Sequence, residues 1–148
     1  ICYNYSIFKK GDEKMKYFYP EDYGALGDGK TNDVKAIQTA IDKAEENNGG
    51  VVVLTSGKTY FSDSIRMKKN VELHLQKGAR LKATDNIDGY IRPCNMINDP
   101  KTALIGNPVT GKPSFVFIYG YEADKCSITG EGTIDANGHS FVKRKDKY

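Results

Sequence analysis

The 148-residue chain carries 22 Lys and Arg against 19 Asp and Glu, a net charge of +3, with 39% hydrophobic and 28% charged residues. That leaves room for one domain with a real core and gives no compositional sign of disorder. The charge is too small and too dispersed to indicate nucleic acid, and no apolar run nears the roughly 18 residues of a membrane helix.

Ile1 to Lys14 shows neither periodicity nor a cap, and Ile1 to Lys10 lacks the basic-then-apolar layout of a signal peptide, so no compartment is read from it. Residues 1–16 are expected to form a poorly ordered extension, with Met15 an alternative start. Helix is predicted at Val34 to Glu46, where Val34, Ile37, Ala40, Ile41 and Ala44 recur at helical spacing. Thr31, Asn32 and Asp33 supply acceptors for its free amides, and Asn47-Asn48-Gly49-Gly50 supplies left-handed conformers for its stop.

After Gly50 the period changes to two, and no second helix is predicted. Val51 to Leu54, Thr59 to Phe61, Val71 to Leu75, Phe115 to Tyr119, Ser127 to Thr129 and Thr133 to Asp135 are short and β-prone, with glycines between them. In Val71 to Gln76 the apolar Val71, Leu73 and Leu75 alternate with Glu72, His74 and Gln76, so one face is core. A strand and a bend repeating about every 20 to 25 residues is the length class of solenoids. About three or four coils fit between Val51 and Gly138, and Asp85 to Pro113, rich in Asn, Asp and Pro, reads as a long loop leaving one of them.

These signals predict a solenoid of short-strand coils over residues 17–142, capped at its N-terminal end by the helix, with 143–148 a charged tail. Nothing visible caps the far end, so the parent protein is expected to continue. Weak self-association through that end is also expected, with Lys143, Arg144, Lys145 and Lys147 guarding it.

Asp22-Tyr23-Gly24-Ala25-Leu26-Gly27-Asp28-Gly29-Lys30-Thr31-Asn32-Asp33, followed by Ala36-Ile37-Gln38 and Ala40-Ile41, resembles the opening of pectate-lyase-like β-helix proteins, phage tailspikes among them. Gly49 to Leu54 with Gly57 to Tyr60, and Asn70 to Leu75 with Gly78-Ala79, are similar to the first coils of polygalacturonases, glycoside hydrolase family 28. Ser127-Ile128-Thr129-Gly130-Glu131-Gly132-Thr133-Ile134-Asp135-Ala136-Asn137-Gly138 resembles that family's I-x-G-x-G-x-I-D-G-x-G segment, with Ala136 in place of a glycine. The family's later motifs, Asn-Thr-Asp, Asp-Asp, Gly-His-Gly and Arg-Ile-Lys, are not in the chain. Thr31-Asn32-Asp33 has the wrong order for the first, and Gly138-His139-Ser140 has Ser where the third has Gly. The resemblance therefore implies an all-β right-handed parallel β-helix with an N-terminal capping α-helix, the N-terminal part of a hydrolase of pectin-type polysaccharide, extracellular or periplasmic, working without a cofactor, with its catalytic half beyond Tyr148. The alternatives are a non-catalytic tailspike-like module that binds polysaccharide, or part of a calcium-using lyase, for which no clustered acidic site is visible.

Glycoside hydrolysis needs an acid and a carboxylate, about 6.5 to 9.5 Å apart for inversion. Glu131 and Asp135 are one candidate pair, but they flank a glycine turn and read as corner and surface residues. His74 reads as an outward strand residue, and His74 and His139 have no Cys or His neighbour at metal-ligand spacing. Gly106 to Lys112 approaches a phosphate-binding loop, but Pro113 stands where the hydroxyl should be and a strand pattern follows. Tyr90, Tyr119 and Tyr121 could stack on sugar, although packing is the heavier expectation. Cys2, Cys94 and Cys126, odd in number and widely spaced, read as buried or free thiols. No catalytic, cofactor or metal residue is assigned.

Overall fold

The computed structural model describes residues 15–91 and 116–142. Strand β1 (Tyr17–Phe18), a 3-10 turn (Pro20–Tyr23) and strand β2 (Asp28–Asn32) lead into helix α1 (Val34–Glu46). Strands β3 (Gly50–Leu54), β4 (Thr59–Ser62) and β5 (Ile65–Met67) make one coil; β6 (Val71–Leu75), β7 (Arg80–Ala83) and β8 (Ile118–Gly120) make the next. Strands β9 (Ser127–Gly130) and β10 (Thr133–Asp135) begin a further level, and a short helix α2 (Gly138–Val142) follows. All pairings between these strands are parallel, in three sheets ordered β1-β3-β6-β9, β2-β4-β7-β10 and β5-β8. The fold is a right-handed parallel β-helix.

Register shows why these strands stack. Val52 lies beside Leu73 and Leu73 beside Ile128, while Tyr60 lies beside Leu81 and Leu81 beside Ile134, so apolar side chains line up along the coil axis. Gly50 pairs with Val71 and Thr59 with Arg80, the same advance along the chain, whereas Ile65 pairs with Ile118. The excess sits between β7 and β8, where the sequence predicts a long loop. An antiparallel bridge between Ile91 and Val116 closes its described root.

Helix α1 turns Ala36, Ile37, Ala40, Ile41 and Ala44 onto the end of the stack, in one cluster with Phe18, Val52, Ile65 and Val71. Full burial of Ile37 and Ile41 stabilises this contact by about 2 kcal/mol each. A coil end also exposes unpaired strand edges, and two are closed here by strands and one by a side chain. β1 covers β3, with Val51 N donating to Lys16 O at 2.9 Å, and β2 covers β4, with Thr59 N donating to Gly27 O at 3.0 Å. The edge of β5 is closed by one side chain: Gln38 Oε1 accepts from Arg66 N at 3.0 Å and Gln38 Nε2 donates to Arg66 O at 3.1 Å. The amide of Gln38 thus makes both hydrogen bonds that a neighbouring strand would make.

The helix start differs from expectation in detail. Asn32 Oδ1 accepts from Val34 N at 3.1 Å, but buried Asp33 turns back to accept from Leu26 N at 2.8 Å and Gly27 N at 3.0 Å. Asp33 therefore ties the preceding turn instead of capping. At the other end Asn48 is left-handed, φ 64, as the stop requires.

Four strands and one helix lie outside the sequence-based prediction. β1, β2, β5 and β7 are short or mixed in polarity, and their strand conformation comes from pairing partners far along the chain rather than from local pattern. β2 even bulges, since Asp28 pairs with Thr59 while Asn32 pairs with Phe61. The Asp28 carboxylate holds the bulge by accepting from Lys30 N, Thr31 N and Thr31 Oγ1 at 2.8, 2.8 and 3.0 Å. α2, where no helix is predicted, is a five-residue turn opened by Asn137-Gly138 and too short to show periodicity. The fourth predicted strand region, Phe115 to Tyr119, is observed as Ile118–Gly120, and Phe115 lies outside the described residues.

Candidate functional site

Besides the Gln38 contacts at the N-terminal end, polar side chains among the described residues gather at three further places. The first is the corner between β4 and β5, where Asp63 is buried. Its two carboxylate oxygens are both occupied: Thr84 Oγ1 donates to Oδ1, and Asn32 Nδ2 donates to Oδ2 at 2.7 Å. Tyr90, also buried, donates its hydroxyl to Thr84 O at 2.6 Å and sets its ring against Phe117, centroids 6.5 Å apart. The short turn Ile87–Gly89 packs directly on the carboxylate; a Cβ on Gly89 would lie 2.3 Å from Asp63 Cγ. Burial pushes the Tyr90 phenol above its ordinary range, with the Asp63 charge adding to the shift and bonds from Thr84 opposing it. Next to it Ser64 Oγ accepts from Ile91 N at 2.8 Å and donates to Val116 O at 2.5 Å. Asp63 and Ser64 therefore pin the root of the long loop to the first coil. With both oxygens bonded, Asp63 is built as a structural acceptor and not as a proton donor to a substrate.

The second place is the turn between β3 and β4. Tyr60, fully buried, donates to Glu21 Oε1 at 2.6 Å and accepts from Thr55 N at 3.0 Å, and Lys58 Nζ lies 3.3 Å from the same carboxylate oxygen. Burial first, and the Glu21 carboxylate second, hold the Tyr60 phenol far above its ordinary value. For Glu21 burial alone would raise the pKa, but the hydrogen bonds from Tyr60 and its neighbours outweigh it and the carboxyl stays below its ordinary value.

The third is the outward face of β6 and β9. Thr129 Oγ1 donates to Glu72 Oε1 at 2.5 Å and meets His74 Nδ1 at 2.7 Å. Since the hydroxyl has one proton and Glu72 takes it, His74 must donate from Nδ1, which leaves Nε2 as its free ring nitrogen. Spacing places His74 outward; its link to Glu72 and Thr129 exists only because β6 and β9 pair in register.

The remaining predicted positions are dispersed. Glu131 lies exposed at the corner between β9 and β10, while Asp135 on β10 accepts from Asn137 N at 2.8 Å. His139 is exposed in α2, Tyr119 stands beside Arg66 on the β5-β8 sheet, and Tyr121 is exposed beyond it. Cys126 is a free thiol packed partly against the core. Cys2, Cys94 and Gly106 to Pro113 lie outside the described residues. Among the described residues no helix is long and apolar enough to cross a membrane.

A family model described as rhamnogalacturonase A/epimerase, pectate lyase-like, matches residues 21–139. Depolymerase 1, capsule KN3-specific, of Klebsiella phage KN3-1 is 34% identical over 134 residues, which is 90% of this chain and 17% of the depolymerase. The exo-poly-alpha-D-galacturonosidase of Dickeya chrysanthemi is 29% identical over 119 residues, 78% of this chain and 19% of that protein. Among solved structures, the family 28 exopolygalacturonase of Yersinia enterocolitica superimposes with a TM-score of 0.66 and 30% identity over 84% of this chain, and 21% of its own. The chain spans about a fifth of the length of the relatives it matches.

Proposed function

Since the chain belongs to the rhamnogalacturonase A/epimerase, pectate lyase-like family, we propose that it is the N-terminal part of a polygalacturonase-like glycoside hydrolase acting on pectin-type polysaccharide. In this reading residues 17–142 cap and start the β-helix and hold none of the acid and base that cleave the bond. The observation that carries it is the sealed N-terminal end followed by coils in unbroken parallel register, in a chain matched by family 28 structures over most of its length. The chemistry would need no cofactor, because a carboxylic acid and a carboxylate suffice to protonate the leaving oxygen and activate water.

The test compares the 148-residue chain with the longest natural protein containing it, on polygalacturonate. The longer protein is expected to release reducing sugar, and the chain alone none. Release by the chain that disappears in Glu131→Gln or Asp135→Asn would overturn the assignment, and unsaturated uronide products from the longer protein would move it to a lyase.

The far end of the stack supports weak self-association of the chain on its own. Ile128 is 44% exposed and Ile134 43%, although both continue buried apolar rows, and among the described residues no strand pairs with the outer edge of β9 or β10. Sedimentation of residues 1–148 and 1–142 should show a concentration-dependent rise in mass, larger without the basic tail. A tight monomer in both forms would refute it.

A further inference from the structure

Two Asn-Gly pairs occur in the chain, Asn48-Gly49 and Asn137-Gly138. In any such pair the Gly nitrogen can attack the Asn side-chain carbonyl, because glycine has no Cβ to block the approach or restrict the backbone. The fold sets the two pairs in opposite surroundings. At the stop of α1, Gly49 N already donates to Ala44 O at 2.9 Å. Gly49 is also packed: its φ is 129, and a Cβ there would lie 2.8 Å from Asn70 O. Asn48 cannot close a ring on that nitrogen without breaking the helix stop.

Asn137-Gly138 lies at the open end of the stack, between β10 and α2. Gly138 N opens a helix and so has no acceptor within it, and among the described residues it makes no other bond. Gly138 is exposed, and a Cβ there would meet nothing within 4 Å. The carbonyl of the same peptide bond takes two donors, Ser140 N at 3.0 Å and Ser140 Oγ at 2.8 Å, both to Asn137 O. Two donors on a carbonyl draw electron density out of the amide and make its N–H more acidic. Asn48 O accepts instead from Asn70 Nδ2 at 3.4 Å. The Asn137 side chain is held by Nδ2 donating to Ala83 O at 3.1 Å.

We propose that Asn137 is a modification site, at which the chain deamidates spontaneously with water as the co-reactant, and that Ser140 promotes the step. Gly138 N loses its proton and attacks Asn137 Cγ. The new C–N bond closes a succinimide ring, and Nδ2 leaves as ammonia, carrying that proton. Water then opens the ring: cleavage between N and Cγ gives aspartate, and cleavage between N and the main-chain carbonyl carbon gives isoaspartate. Either product replaces the Nδ2 donor by a carboxylate facing Ala83 O, on a residue whose own N is bonded to the Asp135 carboxylate. The tie between the end of β7 and the turn after β10 is lost, and the last described level of the stack loosens.

The experiment incubates the 148-residue chain at mildly alkaline pH, folded and in guanidinium chloride. Both Asn-Gly peptides are followed by mass, with isoaspartate detected by an isoaspartyl methyltransferase. In guanidinium chloride the two sites should react alike, whereas in the folded chain Asn137 should outpace Asn48. Ser140→Ala should slow Asn137 about fivefold, the worth of one hydrogen bond that strengthens as the amide ionises, and Ser140→Thr should restore the rate. Gly138→Ala stands in open space at a φ that is not left-handed, so it should leave the unfolding midpoint unchanged and still suppress the reaction. Aged parent chain should then unfold at lower denaturant than Gly138→Ala aged alongside it. Asn48 reacting as fast as Asn137 in the folded chain overturns the proposal. So does an equal or faster reaction in Ser140→Ala, the result expected if Ser140 only restrained α2.

Discussion

Replacing Gln38 tests how the N-terminal end of the β-helix is sealed. Gln38→Ala removes the acceptor for Arg66 N and the donor to Arg66 O, and it leaves α1 its length and its apolar stripe. Each hydrogen bond contributes about 1 kcal/mol net, and the edge groups are partly shielded, so the loss should be about 2 kcal/mol. For a domain of this size that corresponds to a fall of about 8 °C in unfolding midpoint. Gln38→Glu should be no better despite keeping an acceptor, because the Gln38 amide also donates to Asp42 Oδ1 at 3.1 Å, where a second carboxylate would repel. The assays are urea unfolding of both variants and amide exchange at Arg66, which should lose protection in Gln38→Ala. An unchanged midpoint with Arg66 still protected would show that α1 closes this edge by packing alone.

Gly130→Ala should disrupt the β6-β9 pairing: its φ is 99, and a Cβ would lie 2.0 Å from Leu75 O, so a loss above about 3 kcal/mol is expected, read by exchange at the Glu131 and Gly132 amides that bond to Leu75 O. The Glu21 carboxyl is held below its ordinary value of 4.5, so its stabilisation is present in full above that pH and drains away as pH falls through the lower folded value. Tyr60→Phe, which removes the chief bond opposing the effect of burial, should flatten that acid-side loss and lower stability at neutral pH by about 1 kcal/mol, measured by thermal unfolding from pH 7 to 3. Asp63→Ala leaves Thr84 and Asn32 without their acceptor and should cost about 2 kcal/mol and raise exchange at Ile91 N, whereas a silent substitution would mean that the loop root is held by Ser64 alone.

Local chemistry was enough to locate the elements with strong periodicity. The stripe from Val34 to Ala44 and the alternation in Val71 to Leu75 are dictated by which side chains avoid water, and both elements stand where the pattern puts them. The Asn- and Gly-rich bends and the excursion after β7 were legible for the same reason, since positive φ and loss of alternation are properties of single residues and short windows. The sequence alone could not reveal β2, β5 and β7, whose backbones are extended because a neighbouring coil offers them hydrogen-bond partners. Nor could it show that Gln38 serves as a strand edge, that Asp33 faces its own turn, or that Asp63, Thr84, Asn32 and Tyr90 meet. That Asp135 lies beside Lys82 is likewise decided by which rows stack. In a solenoid the face of a residue follows from local alternation, while its neighbour across the coil follows from the length of every intervening turn, and only the folded chain sets that length.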